Sequence, residues 1–484
     1  DVIRVEDTYY MVSTTMHFMP GCEILQSFDL VHWEHVTYVY ETLDHTDAQQ
    51  LKSGQNIYGQ GMWAASLRYH EGRFCICFVA NDTRKTYLYT SEKIDGPWKK
   101  QLIEGFYHDG SLLFDEDGRN YIVYGNDEIW ITELNEDLTA PKKGGLHRLL
   151  VSDHKNPELG YEGSHIQKIN GYYYIFLVHS LRDRWMRTEA CFYSDSLEGE
   201  FTGGDVLCDD RGYCGQGVAQ GGIVDTPDGK WYAMLFQDSG AVGRIPILLP
   251  VTWKDHFPFF GQNGHVPEEI EVHSTRPGYI YQPLVGSDDF CNGLLPRWQF
   301  NHDPDPRYYH LDALQGTYTI TTREVCTELT QAVNTLTQRM SYPSCAAEVT
   351  VDASALKEGD VAGLCALQSC YAAVGITKHH GKYEVLMLDK KEDGILDMTE
   401  GTVVESHQMD FRLEADFCNM KDEARCYYRV NKGDWLPIGT VHKLYFKLDH
   451  FTGCRFGLFC YAAEETGGSA CFRDFKYYDV DEIS

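Results

Sequence analysis

One hairpin recurs five times in the first half of the chain. Each copy is a strand, a tight turn and a second strand that opens on aromatic residues. The turns read Glu6-Asp7-Thr8-Tyr9-Tyr10, Glu71-Gly72-Arg73-Phe74, Asp117-Gly118-Arg119-Asn120-Tyr121, Asn170-Gly171-Tyr172-Tyr173 and Asp228-Gly229-Lys230-Trp231-Tyr232. Asp-Gly and Asn-Gly supply the positive φ that a two-residue hairpin needs, and the aromatic run after each turn suits a strand. The copies begin near residues 1, 61, 106, 160 and 216. Units of about 45–60 residues, all strand, are the size of radially arranged blades. A sandwich would also give hairpins, but not the same one five times. The reading is all-β: a five-bladed β-propeller over residues 1–272, followed by a β-sandwich over residues 286–484.

The repeat stops after about Glu271. His273 to Val285 contains Pro277, Gly278 and Pro283 and reads as a linker. Strand-like runs follow at Gly316–Thr321, Cys345–Asp352, Gly363–Ala366, Tyr371–Ile376, Lys382–Leu388, Val441–Leu448 and Arg455–Tyr461. They fit a two-sheet sandwich. With 484 residues the chain has length for two or three domains and can bury its core without disulfide or metal staples.

The net charge of −30 argues against nucleic acid and anionic membranes as partners, since both demand a cationic surface. No apolar span of membrane length is present. Sixteen cysteines are scattered from Cys22 to Cys471, with no paired CxxC spacing for a metal. They read as buried thiols of a reduced compartment, so a cytoplasmic location is expected. Oligomeric state stays open, a homo-oligomer among the alternatives.

Propeller inner strands bring one equivalent position per blade to a shared axis. Counting nine residues back from each turn glycine gives Trp63, Asp109, Glu162 and Gln220. An aromatic, two carboxyls and an amide thus share one register, with His108 adjacent. Any single carboxyl would read as solvated charge; two at one register suggest a pocket. Glycoside hydrolysis uses two carboxyls, one protonating the leaving oxygen and the other activating water or attacking. The same count in blade 1 falls just ahead of Asp1. Asp1 is the one candidate base within the chain, and a poor one.

At these residues the chain resembles glycoside hydrolase family 43, in the branch of β-xylosidases and α-L-arabinofuranosidases that carry a C-terminal β-sandwich. The motifs are Asp1-Val-Ile-Arg-Val-Glu-Asp-Thr-Tyr-Tyr10, Phe18-Met-Pro-Gly21, Met62-Trp-Ala-Ala-Ser-Leu67, His108-Asp-Gly-Ser-Leu-Leu-Phe-Asp-Glu-Asp-Gly118, Glu162-Gly-Ser-His-Ile-Gln-Lys-Ile169, Gln220-Gly-Gly-Ile-Val-Asp-Thr-Pro-Asp-Gly229, Phe236-Gln-Asp-Ser-Gly-Ala-Val-Gly-Arg244 and Pro296-Arg-Trp-Gln-Phe-Asn301. The resemblance implies an inverting exo-hydrolase that releases xylose or arabinofuranose from xylo-oligosaccharides or arabinoxylan fragments. It implies Glu162 as general acid and Asp109 as the residue that orients the acid and raises its pKa. Substrate contacts would fall to Trp63, Arg244, Phe18, Gln220 and His108, and the sandwich would supply a wall or lid.

Two departures follow. The family base is the Asp of an Asp-Pro-x or Asp-Val-x run, and Asp1 aligns with x, so the base is missing or displaced. Many members carry a His before the Gln220 position, near a central metal; here it is Ala219. No cofactor is therefore expected to be required, a structural calcium being the alternative. A carbohydrate-binding propeller without its base is the rival from another class, and a hydrolase of fructans or other arabinans is a third.

Overall fold

The computed structural model describes residues 1–213 and 215–479. The last residues assigned to the sandwich from sequence, 480–484, lie outside the described residues. No α-helix occurs among the described residues, and no helix is long and apolar enough to cross a membrane.

Five four-stranded antiparallel sheets come first, each with its strands in sequence order, save that the first blade passes over one short strand. Their inner strands are Val2–Val5, Met62–His70, Ser111–Phe114, Glu162–Ile169 and Ala219–Asp225. Each packs on the next, and the fifth packs on the first, closing the ring. Closure explains an oddity of the sequence. The strand Arg73–Ala80 is buried from Phe74 onward instead of alternating, because a neighbouring blade covers each face. Phe74, Ile76 and Phe78 pack with Val12 and Ile24 of blade 1. Cys75 and Cys77 face the other way, onto Leu112 and Ile122 of blade 3. The Cys-x-Cys pair is thus packing, and the described cysteines are free thiols.

The turns are of two kinds. Residues 6–7, 71–72 and 170–171 form two-residue hairpins, closed by the pairs Val5↔Thr8, His70↔Arg73 and Ile169↔Tyr172. Asp117-Gly118 and Asp228-Gly229 instead sit in five-residue loops, with pairing resuming at Phe114↔Asn120 and Asp225↔Trp231. There the Gly118 N–H closes on Asp115 at 3.0 Å and the Gly229 N–H on Thr226 at 2.9 Å. The glycine supplies the left-handed step after a turn, a longer solution than the two-residue hairpin expected from the dipeptide.

The second domain is a sandwich of a nine-stranded and a seven-stranded sheet. Phe290, Trp298, Tyr318, Phe411, Phe456 and Phe472 lie in its core. The nine-stranded sheet borrows the short strand Phe18–Met19 from blade 1, paired to Gln299–Asn301. The segment His273 to Val285 is not a free linker. Thr275 donates its N–H to Phe28 O at 2.8 Å, the Tyr281 hydroxyl accepts the Phe28 N–H at 2.8 Å, and Arg276 pairs with Asp7 at 2.8 Å. Prolines and a glycine shape this strap; side chains they do not announce fasten it. Expected as a strand, Val441–Leu448 divides: the strand is Leu436–Lys443, and the residues beyond turn towards the propeller. The apolar alternation there reflects Leu444 in the sandwich core and Phe446 at the cavity described below.

The seam between domains buries three histidines, His17, His302 and His450. The His17 ring lies 4.8 Å from His302 and 5.4 Å from His450, centroid to centroid. Burial, with the two neighbouring histidines, holds His17 well below the usual histidine range. Such a group stays neutral when folded but takes up a proton when unfolded. Its stabilisation is whole above the unfolded pKa near 6.5 and is lost as pH falls below it. His17→Phe removes that one proton. Between pH 7 and pH 5.5 the variant should lose about 1.3 kcal/mol less stability than wild type. Urea melts at the two pH values read this, and equal losses would contradict it.

Candidate active site

The N-terminal ends of the inner strands meet at a cavity of about 580 Å³. Asp1, Trp63, His108, Asp109, Glu162, Gln220 and Arg244 all line it. Three inner strands begin with a register slip, at 62–65, 162–165 and 219–222. Such bulges bend a strand and re-aim its side chains. Asp109 and Gln220 also take left-handed backbone, with φ of 46° and 68°. That conformation disfavours a Cβ and must be held by neighbours. The Gly163 N–H donates to Asp109 Oδ2 at 3.1 Å, and the buried Glu189 carboxyl accepts the Gln220 N–H at 2.7 Å. A Cβ on Gly163 would lie 2.7 Å from Gln220 Cγ, at a φ of 67°, so glycine is required beside Glu162.

Three titratable groups converge. His108 Nε2 lies 3.6 Å from Asp109 Oδ2 and 3.7 Å from Glu162 Oε2. One ligating atom from each of the three lies within 4.8 Å of the others. Asn126 Nδ2 donates to Glu162 Oε2 at 3.0 Å and fixes that carboxyl. Burial pushes the Asp109 carboxyl above the usual range; His108 opposes this and the Glu162 charge adds to it. Burial disfavours a charged His108, yet the carboxylates of Glu162 and Asp109 outweigh it and raise the imidazole pKa.

No other such metal-competent convergence occurs among the described residues. Calcium takes about six to eight oxygens; this group offers two carboxyls and an imidazole.

The floor is a buried charge network. Asp238 accepts from Arg187 Nη1 at 3.0 Å and from Arg244 Nε at 3.1 Å. Arg187 Nη2 also donates to Gln220 Oε1 at 3.1 Å. Burial, with Arg187 alongside, lowers Arg244 to about 10. One wall is apolar: Trp63 meets Phe451 edge-on at 5.5 Å, and the Arg244 guanidinium lies 4.1 Å from the centre of the Phe451 ring. Phe446, Leu448, Phe451 and Thr452 reach this wall from the sandwich.

The chain matches the family described as glycosyl hydrolases family 43 over residues 1–258. It belongs to glycosyl hydrolase family 43. A second match, to the beta-xylosidase C-terminal concanavalin A-like domain, covers residues 287–478. A solved structure of a bifunctional GH43-CE protein of Bacteroides eggerthii superposes on this family-43 chain with a TM-score of 0.91 at 42% identity; it covers all of this chain, which spans 62% of that protein's length. A beta-xylosidase of Formosa agariphila is 26% identical over 99% of this chain and 87% of its own. A non-reducing end alpha-L-arabinofuranosidase of Bacteroides ovatus is 23% identical over 82% of this chain and 77% of its own.

Two residues singled out from the family-43 pattern stand elsewhere than expected. Phe18 does not line the cavity. It is fully buried at the seam, its ring 3.6 Å from the guanidinium carbon of Arg455, because its short strand joins the sandwich sheet. Asp1 lines the cavity but is no free base. Its carboxylate is buried, accepts from Arg68 Nη1 at 2.5 Å and the Leu67 N–H at 2.9 Å, and faces His165 Nδ1 at 3.2 Å. A carboxylate held by a guanidinium has little basicity left for water. Asn126, Arg187, Asp238 and Phe451 escaped the sequence reading. Asn126 and Asp238 end the second strands of their blades, Arg187 begins a third, and Phe451 lies in the other domain. Only the Phe236–Arg244 motif carried a hint, through Asp238.

Proposed function

We propose that this chain is an inverting, exo-acting glycosidase that releases terminal xylose or arabinofuranose from xylo-oligosaccharides or arabinoxylan fragments. The observation that carries the reading is the Glu162–Asp109 pair beneath an aromatic-walled cavity. Glu162 is oriented by Asn126 and has a second carboxyl within 4.8 Å. It serves as the acid, and Asp109 is the positioning carboxyl beside it. Those two are too close to be the acid and base of an inverting reaction, which stand roughly 6.5–9.5 Å apart. Asp109 is also buried, and its Oδ2 accepts the Gly163 N–H at 3.1 Å. Names of relatives, a beta-xylosidase and an arabinofuranosidase, support the pentose choice.

Proton NMR of the full-length protein acting on aryl β-xyloside tests this. The first-formed xylose should be the α-anomer. A β-anomer would make the mechanism retaining and recast Asp109 as the nucleophile. Binding of xylobiose without turnover of xyloside or arabinofuranoside would favour the non-catalytic alternative.

A further inference from the structure

Blade 4 carries more than the acid. Glu162 opens its inner strand and pairs with Val178, while Ser180 pairs with Arg187 at the end of the next hairpin. The intervening loop, residues 181–186, therefore stands at the same end of the same blade as Glu162. It presents Trp185, which lines the cavity yet keeps 41% of its surface exposed. The loop is fixed, not slack. Arg182 pairs with Asp153, Met186 N–H donates to Ser180 Oγ at 2.8 Å, and Leu181 N–H donates to Met186 O at 3.2 Å. Leu159, in the connection leading into this blade, and Leu448 of the sandwich, 64% exposed, line the cavity too. Large apolar surface held open at a cavity mouth marks a place for a ligand.

Direction follows from the chemistry. The acid delivers its proton to the oxygen joining the two sugars, so the departing ring lies on the acid's side. We infer that Trp185 is the platform of a leaving-group subsite and binds the pyranose ring next to the scissile bond, so that the preferred leaving group is a sugar and not a small alcohol. This rests on the glycosidase reading above. A pyranose ring offers an apolar C–H face to the indole, and its hydroxyls stay in water at the rim.

Calorimetry on the full chain carrying Glu162→Gln, which binds without turnover, tests the inference with xylose and β-1,4-xylobiose as probes. Adding Trp185→Ala should weaken xylobiose by about tenfold and leave xylose within about twofold, because only the disaccharide reaches the platform. Trp185→Phe, which keeps a ring, should recover part of the loss. Equal weakening of both sugars, or none for xylobiose, overturns the platform while leaving the glycosidase reading intact. Failure of the Glu162→Gln protein to bind either sugar, with arabinose and arabinofuranosyl-xylobiose also silent, overturns both. Trp185 is solvent-facing, so its replacement should not unfold the protein, and unchanged thermal melts check this.

Discussion

Glu162→Gln should lower kcat/KM on xylobiose by about 10³-fold and leave dinitrophenyl xyloside within about tenfold of wild type. The difference is the proton. A sugar alkoxide is a poor leaving group and must be protonated as the bond breaks. Dinitrophenolate departs as the anion and needs no acid. Gln keeps the shape and the hydrogen bond that Asn126 makes at 3.0 Å, so the cavity wall stays in place. It has no proton of the required acidity. Steady-state rates on the two substrates, measured at one pH, read the ratio directly. Losses of the same size on both would mean that Glu162 positions the sugar without protonating it.

Asp238→Asn is the change expected to cost most in stability. Among the described residues its carboxylate is the only anion contacting both Arg187 and Arg244, and it is 4% exposed, with Arg187 at 3%. Asn fills the same volume but removes the charge that both arginines contact. Removing one partner of a buried ion pair costs about 3–5 kcal/mol, most of it the penalty of the stranded charge. For a domain of this size that is a fall in Tm of roughly 6–20 °C. KM should rise as well, since Arg187 fixes the Gln220 amide at 3.1 Å and Arg244 lies on the aromatic wall. Thermal melts read the first effect and substrate saturation the second. A Tm within about 1 °C of wild type would show that the arginines find other counter-charges or water.

These two residues were not equally visible in the sequence. Glu162 stood out because its register repeats: the same distance from a turn glycine in four blades must reach the same part of the ring. Asp109, Trp63 and Gln220 came with it for that reason. Asp238 lies at the end of a second strand, where no repeated turn sets a count. It looks like one acid among 72 Asp and Glu residues until the ring closes and two arginines meet it. Phe18 failed in the opposite sense. Its local motif looked right, but its strand pairs with Gln299–Asn301, some 280 residues further along. No local pattern records a pairing at that separation.

Repetition and strand chemistry, then, were enough for the architecture. Recurrent positive-φ turns, aromatic strands and a change of pattern near residue 272 imply five blades and a separate all-β domain, because backbone geometry and burial act over a few residues at a time. Closing the ring and docking the sandwich settled the rest. They place Phe451 opposite Trp63, lock Asp1 to Arg68, and gather His108, Asp109 and Glu162 within 4.8 Å. Charge coupling and burial depend on distance through space, and only the assembled chain sets those distances.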